Sequence, residues 1–211
     1  MDIRTIVQRQ KTTLTKQQKP SEALWIQIGK PIVERYGELN KFLDVFSPKK
    51  LNHFCQYKER CFVGTAPTLG AAKTAYGVGG ITSLLVQYLF DLGTYSGTRD
   101  LMDSSQYTDC AQMMLENFYY LKITEIMQFF YMYKSGRFNG GEFYGNVNPI
   151  SIMKTLRKEF LPIRNSLLDK YYKRQEIEEK SESAWYNGWE RYKTIQYLCG
   201  KRELPLMLTS K

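Results

Sequence analysis

The sequence predicts an all-α protein, a multi-helix bundle with one short β-hairpin near residues 137–144 and a long C-terminal helix. Apolar residues recur at steps of three and four in at least five segments, which is the spacing of one helical face. A hydrophobic content of 43% with 14% aromatic residues supplies enough apolar surface for a packed core. Asn139-Gly140 lies between aromatic residues and is a strong hairpin-turn signal, so one hairpin is expected there.

The 211 residues divide by composition into three parts. Residues 1–20 are polar and basic and predict a flexible arm. Residues 21–172 contain most of the periodic apolar segments and predict a helical body. Residues 173–211 open with a charged and polar run and predict a C-terminal helix with a tail. Apolar runs fall short of the roughly 20 residues that span a bilayer, and no secretory signal is evident, so we expect no membrane contact.

The first predicted helices are short. One starts at Pro20-Ser21-Glu22 and is broken by Gly29 and Pro31. The next has a single apolar face and ends at Ser47-Pro48. That face consists of Ile32, Tyr36, Leu39, Leu43 and Phe46.

The middle of the body is less uniform. Residues 49–63 fit either a helical turn or an extended segment. Pro67 and Gly77 then bracket one helix, since proline favours the first turn and glycine follows the last. A second helix is predicted over about 81–92, followed by a loop over 93–99.

Two further helices and a kinked one follow. Ser104 or Ser105 is expected to cap a helix that runs to about residue 118. Thr124 is expected to cap the next, which Gly136 ends. Asn148-Pro149 reads as the cap and first turn of a long helix, in which Pro162 predicts a kink. Its buried stripe consists of Ile152, Leu156, Phe160, Ile163 and Leu167.

Residues that carry catalytic or metal chemistry are sparse. His53 is the only histidine, and Cys55, Cys61, Cys110 and Cys199 form no C-x-x-C pair, so a zinc site is not expected and the thiols are interpreted as small buried hydrophobes. Gly70 and Lys73 are separated by two alanines, whereas a phosphate loop needs them adjacent. No pair of carboxylates has a spacing that indicates acid–base chemistry. The sequence therefore predicts no enzyme, no cofactor and no metal.

The net charge of +9 is unevenly distributed. Residues 1–60 hold 12 basic and 6 acidic side chains, a net charge of +6, and residues 151–175 hold 7 and 2, a net charge of +5. Residues 61–150 and 176–211 have net charges of −2 and 0. Clustered basic residues are compatible with DNA or RNA as a partner, and the competing interpretation is that the excess only aids solubility.

The hairpin and the helix behind it form the candidate nucleic-acid surface. A helix start offers free amides and a partial positive charge, and aromatic rings stack on unpaired bases. The competing interpretation makes the aromatic residues core and the basic residues a solvated face. The candidate residues are Arg137, Tyr144, Lys154, Arg157, Lys158 and Arg164.

A second candidate surface lies on the C-terminal helix. Trp185, Trp189 and Tyr192 occur at i, i+4 and i+7 and therefore share a face. An exposed aromatic stripe of that size is costly, so we expect it to fold back on the body or to bind a protein partner.

Several short motifs stand out between residues 66 and 149. They are Ala66-Pro67-Thr68-Leu69 with Ala75-Tyr76-Gly77, Tyr119-Tyr120-Leu121-Lys122 with Phe129-Phe130, Lys134-Ser135-Gly136-Arg137-Phe138, Phe143-Tyr144-Gly145, and Asn148-Pro149. Together they resemble an uncharacterised family of small helical proteins from gut anaerobes and from their phages and mobile elements. The resemblance covers about residues 60–170, with a hairpin about two residues longer here. It transfers no catalytic residue. The order of helices is also loosely similar to small phage replication-organiser or helicase-loader proteins.

From the charge pattern and the resemblance we expect a non-enzymatic accessory protein of a phage or mobile element, acting in DNA replication or another nucleic-acid transaction. The alternative is a protein–protein adaptor or a virion structural component that docks through Trp185, Trp189 and Tyr192. The expected location is the cytoplasm of the host cell, or a virion.

Overall fold

A computed structural model describes residues 21–97, 102–139 and 148–198. Every regular element among them is helical, which confirms the all-α prediction. The chain divides into two compact units, Met1–Arg164 and Asn165–Lys211. The first unit therefore ends before residue 172, where composition placed the end of the body. The expected arm, residues 1–20, lies outside the described residues.

The first helical segment of the described residues is continuous, although the sequence predicted two separate helices here. Helix α1 (Glu22–Leu24) leads into a π-helical turn (Trp25–Gly29) and then α2 (Lys30–Tyr36). The predicted break at Gly29 and Pro31 is wrong. The amide of Lys30 bonds to the carbonyl of Trp25, so the widened turn carries the helix past the proline, which has no N–H to donate. A Cβ on Gly29 would lie 2.8 Å from the Trp25 ring and 3.3 Å from the Ala75 Cα, so glycine here permits close packing.

The predicted apolar face from Ile32 to Phe46 is divided at Gly37, whose φ of 78° ends α2. Helix α3 (Leu39–Val45) follows, then a 3₁₀ turn (Pro48–Lys50), α4 (Leu51–Cys55) and α5 (Lys58–Val63). The stretch 49–63, for which the sequence allowed either form, is thus helical. Two tyrosines of the helix that follows α5 donate hydrogen bonds to backbone carbonyls of this region. Tyr76 Oη donates to the Gly37 carbonyl at 2.8 Å, and Tyr88 Oη donates to the Phe46 carbonyl at 2.6 Å.

Helix α6 (Leu69–Ser96) runs through the core. Thr68 caps it by accepting the amide of Ala71. Gly77 has a φ of 77° and interrupts the helix where the sequence predicted its end. The chain becomes helical again at once and stays so to Ser96, so the loop predicted from residue 93 is wrong up to that point. Residues 81–86 are buried on every side, which explains why they show no polar face.

Helix α7 (Ser104–Asn117) starts where expected but has a different cap. The Asp103 carboxylate accepts the amide of Gln106 at 2.8 Å, and the Gln106 side chain accepts the amide of Asp103 at 3.1 Å. The prediction of Ser104 or Ser105 as the cap is wrong, because Asp103 is the residue with extended backbone angles. The Ser105 hydroxyl instead donates to the Asp103 carboxylate.

Helix α8 (Ile123–Lys134) is the most deeply buried helix in the described part of the chain, with residues 123–130 all buried. The predicted cap Thr124 lies inside this helix, where its hydroxyl donates to the Cys61 carbonyl at 2.7 Å. Glu125 caps the start by accepting the Lys122 amide at 2.8 Å. Gly136, with a φ of 63°, ends the segment as predicted.

The predicted hairpin is not supported. Its first residues, Arg137 to Asn139, form no strand, and residues 140–147 lie outside the described residues. Phe138 is buried against Phe129 and Tyr133, at ring distances of 5.6 and 5.8 Å, so this aromatic residue belongs to the core. The single β-bridge within the described ranges joins Thr68 to Lys122.

Helix α9 (Pro149–Thr155) leads into a second π-helical turn (Leu156–Phe160) and then α10 (Leu161–Leu198). Asn148 caps α9 by accepting the amide of Ile150 at 2.9 Å, as predicted. The stripe is confirmed for Ile152, Leu156 and Phe160, which are fully buried, but not for Ile163 and Leu167, which are partly accessible. At the predicted kink, the Leu161 amide bonds to the Leu156 carbonyl, and the widened turn precedes Pro162 just as the first one precedes Pro31.

Candidate functional site

A cleft between α7 and the α9 segment is the candidate functional site. It has a volume of about 520 Å³ and lies within the first compact unit. Helix α7 forms one wall, and α9 with its π turn forms the other. The α7 wall consists of Gln106, Asp109, Cys110, Met113 and Asn117, and the opposite wall consists of Pro149, Ile150, Met153, Lys154, Arg157 and Lys158.

The apolar part of the cleft lining is adaptable. Met113 and Ile150 are 51% and 76% exposed, and Met153, which lines the same cleft, is half-buried. Methionine is unbranched and polarizable, so it adjusts to flat or irregular ligands. Burial raises the pKa of the Cys110 thiol to about 12, so this group stays neutral and adds to the apolar lining.

The rim of the cleft is cationic. Lys154, Arg157 and Lys158 are all exposed, and all three line the same cavity. The guanidinium of Arg157 lies 6.0 Å from the centre of the Phe118 ring. Against these three positive charges the described lining residues include one carboxylate, Asp109. The site therefore favours a ligand with an apolar or planar part and at least one negative charge.

The carboxylate of the π turn serves another purpose. Glu159 Oε2 accepts the amide of Asn139 at 2.8 Å, which ties the end of the α8 segment to this turn. Glu159 does not line the cleft.

The structure gathers three of the six predicted nucleic-acid residues, namely Lys154, Arg157 and Lys158. Arg137 is exposed but does not line the cleft, and Tyr144 lies outside the described residues. Arg164 is also separate. Its Nε donates to Glu125 Oε1 at 2.7 Å, and Glu125 is completely buried, so this arginine compensates an internal charge.

The three predicted partner-binding residues lie together in the second unit. The rings of Trp185 and Trp189 are 6.3 Å apart and nearly parallel, and those of Trp189 and Tyr192 are 5.5 Å apart. Trp185 is 61% exposed and Tyr192 is exposed as well. The prediction that they share a helical face is confirmed.

Sequence reasoning missed the apolar residues of the cleft. Ile150 and Met153 lie three residues apart and off the stripe that begins at Ile152, so they form a second, smaller apolar face on the same segment. Met113 follows Cys110 by three residues and gives α7 a matching face. Such a second face was the available signal, but only the tertiary structure shows that the two oppose each other.

Within residues 21–97, 102–139 and 148–198, no three His, Cys, Asp or Glu residues are placed to hold a metal ion. None of the described helices combines the length and the hydropathy needed to cross a membrane. Cys55, Cys61 and Cys110 are free and buried, in agreement with their interpretation as small hydrophobes.

Part of the chain is similar to a known family. Residues 101–202 are similar to DUF6633, a family of unknown function. The matched stretch includes both walls of the cleft and the aromatic face of α10. No curated protein and no solved structure matches the chain.

Proposed function

We propose that the protein is a non-enzymatic accessory factor that binds single-stranded nucleic acid in the cleft between α7 and α9. The observation that carries this proposal is the convergence of Lys154, Arg157 and Lys158 on the rim of an open apolar cleft. Phosphates would contact the cations while an unpaired base enters the cleft over Met113 and Ile150. A role in replication or another nucleic-acid transaction of a phage or mobile element is supported by the motif resemblance.

Single strands suit this geometry better than a duplex. The cleft is concave and apolar between its rims, whereas duplex DNA presents phosphates on a convex surface with its bases enclosed. An unpaired base offers a flat apolar face to methionine and isoleucine side chains, which takes Met113 and Ile150 out of water. The proposal therefore expects tighter binding of single-stranded than of double-stranded oligonucleotides.

The test is a salt titration of oligonucleotide binding, followed by fluorescence anisotropy. Three phosphate contacts on a single strand give a log–log slope of about −2, at about −0.7 per contact. The double variant Arg157→Ala, Lys158→Ala should flatten the slope by about one to two units. The matched control is the double variant Lys41→Ala, Lys49→Ala, which should leave the slope unchanged. Both lysines are exposed, and neither lines the cleft.

A second variant separates the apolar contact from the charge. Ile150→Ala should weaken binding several-fold without altering the slope, and because Ile150 is exposed, folding should be unaffected. Absence of binding at ~0.1 M salt, or equal losses in the cleft and control variants, would end the proposal.

A second candidate function is association between copies of this chain through the aromatic face of α10. The favouring observation is the stacked set of Trp185, Trp189 and Tyr192, in which Trp185 and Tyr192 are exposed and Trp189 is half-buried. Gly188 lies on the same face, and nothing lies within 4 Å of a Cβ built on it. A glycine between large rings lets a second helix approach closely. The charges fit an antiparallel pair, because residues 176–182 have a net charge of −3 and residues 190–193 a net charge of +1.

Sedimentation velocity tests this association. Trp185→Ala should shift the protein toward monomer, whereas Tyr186→Ala should not. Tyr186 is the matched control, because it is 59% exposed on the same helix but about 100° around from Trp185. A wild-type protein that is monomeric at all concentrations would refute the idea.

A further inference from the structure

A second cavity in the first unit has a different chemistry from the cleft. It has a volume of about 400 Å³ and lies between α2, the end of α3, α4 and α5. Its charged or titratable lining residues are Arg35, His53 and Arg60, with Tyr36, Tyr57 and Cys61, and no described lining residue is an aspartate or glutamate. Such a cavity attracts anions.

The two arginines are held in place by neighbours. Arg35 Nη2 donates to Thr65 Oγ1 at 3.0 Å, and its guanidinium lies 5.3 Å from the Tyr36 ring centre. The Arg60 guanidinium lies 4.7 Å from the Tyr57 ring centre. Stacking of this kind orients a planar guanidinium while its N–H groups remain directed along its edge. The two groups therefore offer preorganised forks for an oxyanion such as phosphate.

The rest of the wall is aromatic. Phe54 is half-buried and stacks on Phe46 at 5.9 Å with an interplanar angle of 28°, and His53 contacts it edge-on at 5.7 Å. Tyr57 is exposed beside it. These rings provide a flat apolar surface next to the arginines, which suits a planar heterocycle.

We propose that this cavity binds a nucleoside phosphate, with its phosphate on Arg35 and Arg60 and its base against Phe54 and Tyr57. A volume of about 400 Å³ lies within the usual range of small-molecule sites. The inference goes beyond the proposed function, because it concerns a free nucleotide at a different site and requires no polynucleotide. It would give the protein a response to nucleotide supply that is separate from strand binding.

Isothermal titration calorimetry of the full chain with AMP, adenosine and inorganic phosphate tests the proposal. AMP should bind at least about tenfold tighter than either adenosine or phosphate, because it alone satisfies the arginines and the aromatic wall together. Arg35→Gln and Arg60→Gln should each weaken AMP binding by about tenfold or more, which is the effect of losing a charged hydrogen bond. The matched control is Lys58→Gln, since Lys58 is exposed on the same helix as Arg60 but does not line the cavity.

Three results would overturn the proposal. AMP could bind no tighter than adenosine, which would show that the arginines do not hold a phosphate. Arg60→Gln could have the same effect as Lys58→Gln, which would indicate general charge attraction. The cleft variant Arg157→Ala, Lys158→Ala could abolish AMP binding, which would place the nucleotide in the other site. Failure of oligonucleotide binding with intact AMP binding would refute only the proposed function of the cleft.

Discussion

The ion pair between Glu125 and Arg164 gives the sharpest test of how this fold is held together. Glu125 is completely buried on α8, and the Arg164 side chain is 18% exposed at the end of the first unit. Glu125 uses one oxygen for Arg164 and the other for the Lys122 amide. Replacing Arg164 by methionine keeps most of the side-chain volume but removes the charge that compensates a buried carboxylate.

The expected loss is large for one substitution. Removing one partner of a buried ion pair costs about 3–5 kcal/mol, because the remaining charge is left in a poorly solvated site. We expect about 3 kcal/mol here, since the Lys122 amide still donates to Glu125. For a chain of this size, that corresponds to a fall of about 6–12 °C in the melting temperature.

Urea denaturation and thermal unfolding of Arg164→Met measure this loss. Arg157→Met is the matched control, because Arg157 is exposed, and it should cost no more than about 0.5–1 kcal/mol. Adding Glu125→Gln to Arg164→Met should recover part of the lost stability, because the uncompensated charge disappears. A cost below about 1 kcal/mol for Arg164→Met, or no recovery in the double variant, would refute the reasoning.

Three further predictions concern single side chains. Asp103→Ala should cost about 1 kcal/mol of folding free energy in urea denaturation, and Ser104→Ala less than half of that, because Asp103 is the residue that caps α7. Burial raises the pKa of Tyr76 to about 12, so folding stability should be lost as the pH rises from about 10 through about 12, and Tyr76→Phe should make that decline shallower in pH-dependent denaturation. Tyr88→Phe should cost about 1 kcal/mol or more at neutral pH in the same assay, because it leaves the buried Phe46 carbonyl without its 2.6 Å hydrogen bond, and a neutral result would show that water replaces it.

Most helices could be predicted because the spacing of apolar residues along one helical face is visible in the local sequence. Ile152, Leu156 and Phe160 are buried as their spacing indicates. The errors occurred where local sequence permits two outcomes. Gly29 and Pro31 usually end a helix, but a widened turn carries the chain past them, and that turn has no simple sequence signature.

The basic residues of the candidate site could be predicted from the sequence, and its apolar residues could not. The basic residues of the cleft follow from local charge, and Lys154, Arg157 and Lys158 were identified on that basis. Their apolar partners on α7 could not be identified, because nothing in a single sequence states which two helices lie side by side. The sequence left two interpretations open for aromatic residues such as Phe138, since only tertiary packing decides whether a ring is core or surface.

The π-helical turn before Pro162 sets the angular position of Arg164, which follows it on the helix. In a regular α-helix a stripe with a four-residue step drifts by about 40° at each step, so Arg164 would be about 120° around from Ile152. One extra residue in the turn cancels most of this drift, which keeps Phe160 on the face of Ile152 and Leu156 and directs Arg164 to Glu125. A proline that cannot donate one hydrogen bond thus fixes the angular alignment on which a buried charge depends, and shortening this turn by a residue would point the arginine away from its glutamate.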